Sequence, residues 1–195
     1  MKSLNLKLSD VRNEANSFLQ NYHPSLRLPI PIEEIVELKM KVAIVAVPGI
    51  KSLLGIDSFI NRDFNQITID EYSYDNYEER TRFSVAHEIG HLVLHRQWYQ
   101  KNGPKNLDDF MIFFDRIDRE DYKYIEIQAH TFAGLILVPT NKLLDEIKIK
   151  LNRIPSQESP EYFIPFIQDL CNVFKVSGEV MLRRLQKEKI IKSTS

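Results

Sequence analysis

The chain has 195 residues, enough to bury a substantial core as one domain or as one domain with a small appendage. Apolar residues at 43% and charged residues at 27% exclude the disordered and fibrous classes. A formal net charge of −1 and a pI near 6.5 give no global electrostatic reason to expect a nucleic-acid or membrane-surface partner. The single cysteine, Cys171, can form no intramolecular disulfide, and the opening MKSLNLKLSD lacks the apolar run of a signal peptide. No stretch reaches the roughly 18 consecutive apolar residues of a membrane span, so the expected compartment is the cytoplasm.

The first element is a helix over about 9–20, entered through Ser9 or Asp10, with Val11, Ala15, Phe18 and Leu19 on one side. Pro31 opens a second short helix ending near Lys41, with Ile32, Ile35, Val36 and Lys39 at helical spacing. VAIVAVPG, LLGIDSFI and QITID are β-rich runs separated by turn signals, and they predict a small, mostly antiparallel sheet. A long helical pattern then runs to about Trp98, where KNGPKN breaks it. Residues 99–118 carry little readable pattern. The connection from Arg96 to Glu120 is long and contains FMIFF, which fits a lid, a partner-binding segment or a core element equally well. Helical periodicity resumes from Arg119 to Val138, Thr140 caps NKLLDEIKIK, and RIPSQESPEYF has linker composition. Further helices are expected over Tyr162–Phe174 and about Gly178–Lys189. The division expected is a domain at 1–150 and a helical extension at 151–195.

The chemistry concentrates in RFSVAHEIGHLVLH, residues 82–95. On a helix, His87 and His91 lie one turn apart on one face and can present two imidazole nitrogens to a single zinc ion. Glu88 beside them can take a proton from water instead of binding the ion. A shuffle of this composition would give H-E-x-x-H in roughly 1% of cases, so the motif alone is only moderately specific. Its apolar surroundings add weight, because two imidazoles and a carboxylate are costly to bury without a partner such as a metal.

A catalytic zinc site needs a third protein ligand and keeps one position for water. His95 is close in sequence but about 12 Å along the helix axis from His87, which suits a supporting or core role better than ligation. The stronger candidate is Glu126, in EIQAHTFAGLILVP on the next long helix. Ile125, Ala129, Phe132 and Ile136 form an apolar face there, and Glu126 and His130 sit in the adjoining row. A Glu126–His130 hydrogen bond on a solvent edge is the plainer alternative. Gly90 and Gly134 inside these helices each cost about 1 kcal/mol relative to alanine. A close crossing that brings Glu126 to the histidine pair would account for them.

These two segments together resemble the ImmA/IrrE family of zinc metallopeptidases, with its R-F-x-x-A-H-E-x-G-H-x-x-x-H block and later E-x-E-A-N-x-F-A-x-x-L-L-M-P block. The similarity extends more loosely to IPIEEIVELKMKVAIVAVPGIKSLLGIDSFI and NQITID, and to FKVSGEVMLRRLQKEKII near the C-terminus. It implies an α+β fold with a thermolysin-like (zincin) helix-and-small-sheet core and a C-terminal helical, helix-turn-helix-like extension. It also implies Zn2+ held by His87, His91 and Glu126, with Mn2+ as a substitute in vitro, and Glu88 as general base. The implied activity is endopeptidase cleavage of a helix-turn-helix transcriptional repressor, relieving repression of mobile-element, phage or stress genes. Gln128, His130 and Val138 stand where many members have Glu, Asn and Met. His130 and His95 are therefore candidates to support the ligands, with His130 also able to compete for the metal.

Six tyrosines, Tyr72, Tyr74, Tyr77, Tyr99, Tyr122 and Tyr124, could supply a second donor to a developing oxyanion, and spacing does not choose among them. Residues 62–70 are the expected sheet edge for an extended substrate. Two rivals belong to other classes. From Cys171 onward, six Lys/Arg face two acidic residues, and the Val-Ser turn with its following helix could read DNA. A solvated helix face explains those charges more simply and argues against direct DNA binding. The other rival is a zinc-bound regulator that acts by binding its partner without cleaving it.

Overall fold

The computed structural model describes residues 6–192. Helix α1 (Leu8–Tyr22) buries Val11, Ala15, Phe18 and Leu19, the four residues its periodicity selects. Its N-cap is Lys7 rather than Ser9 or Asp10, because the Asp10 carboxylate reaches back to accept the Lys7 N–H at 3.0 Å. The short helix α2 (Ile32–Glu34) continues as a π-turn through Ile35–Lys39, with Ile32, Ile35 and Val36 buried.

Strand β1 (Ala43–Val47) comes next, then a five-residue helix α3 (Ile50–Leu54), then β2 (Ser58–Ile60) and β3 (Gln66–Asp70). The run LLGIDSFI is therefore divided, its two leucines ending a helix. The Asp70 carboxylate accepts the Lys51 N–H at 3.0 Å, a capping partner that lies nineteen residues away in sequence. The sheet has order β1-β3-β2 and is mixed, not mostly antiparallel. β1 pairs with β3 in parallel, Ala43 opposite Gln66 through Val47 opposite Asp70. β2 pairs with β3 antiparallel, Ser58 opposite Ile69 and Ile60 opposite Ile67. The β2–β3 hairpin inserts β3 between its partners, so residues 66–70 are bonded on both sides and offer no free edge. The open edge beside the next helices is β2.

After α4 (Glu71–Asn76), helix α5 (Glu78–Leu94) carries the histidine motif and is buried at every position from Ser84 to His91. It ends at Leu94, short of Trp98. His95 leaves helical geometry with its N–H still bonded to the His91 carbonyl, and α6 (Arg96–Asn102) starts anew. Helices α7 (Leu107–Met111) and α8 (Phe113–Arg116) follow. They answer the question left by FMIFF: Phe110 and Phe113 form a second core cluster with Phe59, against which Trp98, Phe114 and Tyr122 pack.

Helix α9 (Arg119–Leu137) is capped by Asp118 and crosses α5. A Cβ on Gly90 would lie 2.9 Å from Ala129 Cα, so glycine is required where the two backbones meet. Gly134 serves another contact, since its missing Cβ leaves room for the Arg184 stem at 3.1 Å rather than for α5. Three helices complete the chain: α10 (Thr140–Leu151), α11 (Pro160–Phe174) and α12 (Gly178–Lys187). Phe163, Leu170, Phe174, Met181 and Leu185 from the last two share one apolar cluster with α1, α5 and α9. The molecule is mostly helical around a three-stranded mixed sheet. Among the described residues, no helix is long and apolar enough to cross a membrane.

Thr140 lies inside α10, after Pro139 as N-cap, and its hydroxyl joins a polar network. The Glu188 carboxylate there accepts from Arg12 at 3.0 Å, Arg184 at 2.8 Å and Thr140 at 3.0 Å. Burial works to raise the Glu188 pKa, but Arg12 and Arg184 outweigh it and hold the group below its ordinary 4.5. A depressed carboxylate stabilises the fold above its unfolded pKa and loses that contribution as pH falls through the folded one. The stability difference between wild type and Glu188→Gln, measured by urea unfolding, should be constant near neutrality and shrink progressively below about pH 4.5. A difference independent of pH would remove the ion pairs from this role.

Candidate metal centre

Helix α5 presents His87 and His91 one turn apart, and α9 crosses at Gly90 so that Glu126 meets both. His87 Nε2 and His91 Nε2 lie 3.0 Å apart. Glu126 Oε2 is 3.2 Å from His87 Nε2, and Glu126 Oε1 is 3.1 Å from His91 Nε2. Tetrahedral zinc with bonds of about 2.0–2.1 Å places neighbouring donors roughly 3.3 Å apart, and the distance between the imidazoles and the distance from each to its own Glu126 oxygen are near that spacing. Glu126 Oε1 is buried and accepts no hydrogen bond, as expected of an atom meant for a cation. The donor set, two imidazoles and a carboxylate, fits zinc.

The electrostatics agree with a cation site. Burial alone would raise the Glu126 pKa, yet the two imidazoles hold it far below the usual carboxylate range. Burial likewise opposes protonation of His87, and the Glu126 carboxylate overrides it, leaving His87 above 6.5.

Glu88 is buried on the neighbouring side of α5, held by the sheet. Its Oε1 accepts from the Ser58 hydroxyl at 2.7 Å and its Oε2 from the Ile60 N–H at 2.9 Å. Neither partner is visible in the sequence, because β2 meets α5 only through the fold. Each oxygen keeps a lone pair for a further proton or donor.

His95 turns inward and lies 3.3 Å from His91, Nδ1 to Nδ1, with its Nε2 2.8 Å from Gln128 Oε1. Burial first, and the neighbouring His91 imidazole second, push its pKa down to about 3. His130 is one turn beyond Glu126 and exposed, its ring edge-on to His87 at 4.6 Å between centroids. Desolvation of the ring where it lies against His87, then His87 itself, lower its pKa to about 4. Donor atoms of His87, Glu126 and His130 also lie within 4.8 Å of one another, a wider grouping than the triangle that includes His91. The triangle has the shorter edges and is the better cage for one ion.

Of the six tyrosines, Tyr72, Tyr74, Tyr77 and Tyr124 are exposed. Tyr99 is buried with its ring 4.6 Å from that of His91. Burial and the Glu126 carboxylate hold the Tyr122 phenol in its protonated form. Arg82 is buried and ties distant segments together, donating to the Ile30 carbonyl at 2.7 Å, Glu33 at 3.3 Å and the Lys175 carbonyl at 3.2 Å. Beside the centre opens a cleft of about 830 Å³, bordered by Phe83, Glu126 and His130 on one side and by Val180, Arg183 and Lys187 of α12 on the other.

The model of the IrrE N-terminal-like domain, a peptidase family, matches residues 61–186. The chain belongs to the ImmA/IrrE metallopeptidase family. The matched span contains both helices of the metal centre, most of the residues that line the cleft, and β3, but neither β1 nor β2. No curated protein matches. Among solved structures, this ImmA/IrrE member is similar to a Mycobacterium tuberculosis transcriptional regulator, with a TM-score of 0.58 and 15% identity. The match covers 91% of this chain and 55% of that one, so the chain spans about half the length of the regulator it matches. At that identity the likeness is one of fold.

Proposed function

We propose that the protein is a zinc-dependent endopeptidase whose substrate is a helix-turn-helix transcriptional repressor, its cleavage relieving repression of mobile-element, phage or stress genes. The observation that carries the enzymatic part is the triangle of His87, His91 and Glu126 donors with edges of 3.0–3.2 Å, beside a buried Glu88. His87, His91 and Glu126 hold the ion, on a zincin-like core that lies within residues 1–150, and Val180, Arg183 and Lys187 of the extension that follows supply the far wall of the cleft.

Zinc bound there supplies Lewis acidity that lowers the pKa of water toward 7 and favours negative charge on a carbonyl oxygen. Glu88, fixed by Ser58 and Ile60, accepts a proton from the attacking water and returns it to the leaving amine. The substrate lies extended along β2, the open edge nearest α5. Asp57 and Asn61 direct their backbone groups to β3, so those of Ser58 and Ile60 point outward, Ile60 N–H to Glu88. His130, exposed on the cleft wall and neutral near pH 7, donates to the developing oxyanion. His130→Ala should lower kcat by about 10²-fold while zinc affinity stays within a few-fold of wild type. A large loss of zinc affinity would instead make His130 a ligand.

The test of the whole reading is to mix the purified protein, loaded with Zn2+ or Mn2+, with the helix-turn-helix protein encoded nearest its gene. A discrete cut abolished by chelator is expected. Tight metal-dependent binding without a cut would favour a regulator that works by contact. Direct DNA binding is not proposed, because Arg183 pairs with Glu179, Arg184 is buried against the Val138 carbonyl, and Lys187 bonds Thr131.

A further inference from the structure

Gln128 stands in a row of buried side chains that ends at the metal centre: Gln128 Oε1, His95 Nε2, His95 Nδ1, His91 Nδ1, His91 Nε2. The two links between residues are 2.8 Å and 3.3 Å, and Gln128, His95 and His91 are 6%, 4% and 1% exposed. Water has little access, so each link must be a hydrogen bond with one donor and one acceptor.

The protons can then be placed one after another. An amide oxygen only accepts, so His95 Nε2 carries hydrogen. A neutral imidazole has one N–H, which leaves His95 Nδ1 with a lone pair. His91 Nδ1 must donate to that lone pair, so His91 carries its hydrogen on Nδ1. In the neutral imidazole that metal binding requires, Nε2 is then bare, and that is the nitrogen 3.1 Å from Glu126 and 3.0 Å from His87. Reversing the Gln128 amide would reverse every bond in the row and leave a hydrogen on His91 Nε2, where an ion has to bind.

We infer that Gln128 is a positioning residue for the metal centre: acting through His95, its carbonyl oxygen sets the tautomer of His91 so that Nε2 is free for the ion. This rests on the reading of His91 as a ligand. It also gives a chemical sense to glutamine at 128, since the row requires only an acceptor, which a carboxylate supplies as well.

The test uses the full-length protein in three forms: wild type, Gln128→Glu and Gln128→Met. Histidine 15N shifts of the metal-free protein, recorded at a pH where His91 is neutral, read the tautomer directly. Wild type and Gln128→Glu should show His91 protonated at Nδ1, and Gln128→Met should show a mixed or reversed tautomer. Zinc affinity, read by chelator competition, should be kept in Gln128→Glu and fall about 10–100-fold in Gln128→Met. Thermal unfolding of the metal-free proteins separates this from simple loss of packing, and His91→Ala tests the ligand assignment separately. His91 protonated at Nε2 in the wild type, or unchanged zinc affinity and tautomer in Gln128→Met, would overturn the inference. Zinc affinity unaffected in His91→Ala would instead overturn the ligand reading beneath it.

Discussion

Glu88→Gln is expected to bind zinc as the wild type does and to cleave its protein substrate about 10²–10⁴-fold more slowly. The substitution keeps the shape of the side chain. The amide oxygen can still accept from the Ile60 N–H or the Ser58 hydroxyl, which lie 2.9 and 2.7 Å from the carboxylate oxygens. What disappears is a base able to take a proton from water. His87, His91 and Glu126 are untouched, so chelator competition should give the wild-type affinity, and single-turnover cleavage should carry the whole defect. If the variant turned over at the wild-type rate, Glu88 would be only a clamp on β2. If zinc affinity fell in parallel with the rate, Glu88 would belong to the ligand set.

Gly90→Leu should abolish metal binding and leave a poorly stable chain. The nearest obstacle is backbone, Ala129 Cα at 2.9 Å and the Ala129 carbonyl oxygen at 3.1 Å from the new Cβ, so no rotamer change relieves it. Overpacking of this kind typically costs about 1–3 kcal/mol, against about 1 kcal/mol gained by removing a helical glycine. The helices can separate to relieve it, but separation moves Glu126 away from the two imidazoles, and the 3.1 and 3.2 Å edges cannot survive it. Gly134→Ala is the control. Its new Cβ would meet only the Arg184 stem, a side chain able to shift by tenths of an ångström, so zinc affinity should change little. Equal loss in both variants, measured by zinc titration and thermal unfolding, would refute the assignment of the crossing to Gly90.

The parts of this molecule that can be read from sequence are those whose cause is local. The buried side of α1 follows from period alone, and the row holding Glu126 and His130 is visible because ionisable groups interrupt an apolar helix. Parallel pairing of β1 with β3 has no such local cause, since the strands are separated by α3 and β2 and only the assembled sheet sets their order. The same holds for α3, whose cap comes from Asp70, and for Gly134, whose neighbour is fifty residues away on α12. At the centre, the residue types and the helical face could be named from spacing. Their convergence, the hold of Ser58 and Ile60 on Glu88, and the pairing of His95 with Gln128 depend on how α5 meets β2 and α9.

The hydrogen bond from Ile60 to Glu88 makes the sheet and the base a single mechanical part. A peptide seated along β2 would press on the same backbone that aims the carboxylate, so a misaligned guest would also mis-aim the proton acceptor. Discrimination between substrates would then fall on the rate of bond cleavage more than on the strength of binding. Alterations in the 61–65 turn, remote from every ligand of the ion, would be felt as slower chemistry in a protein that still holds its metal.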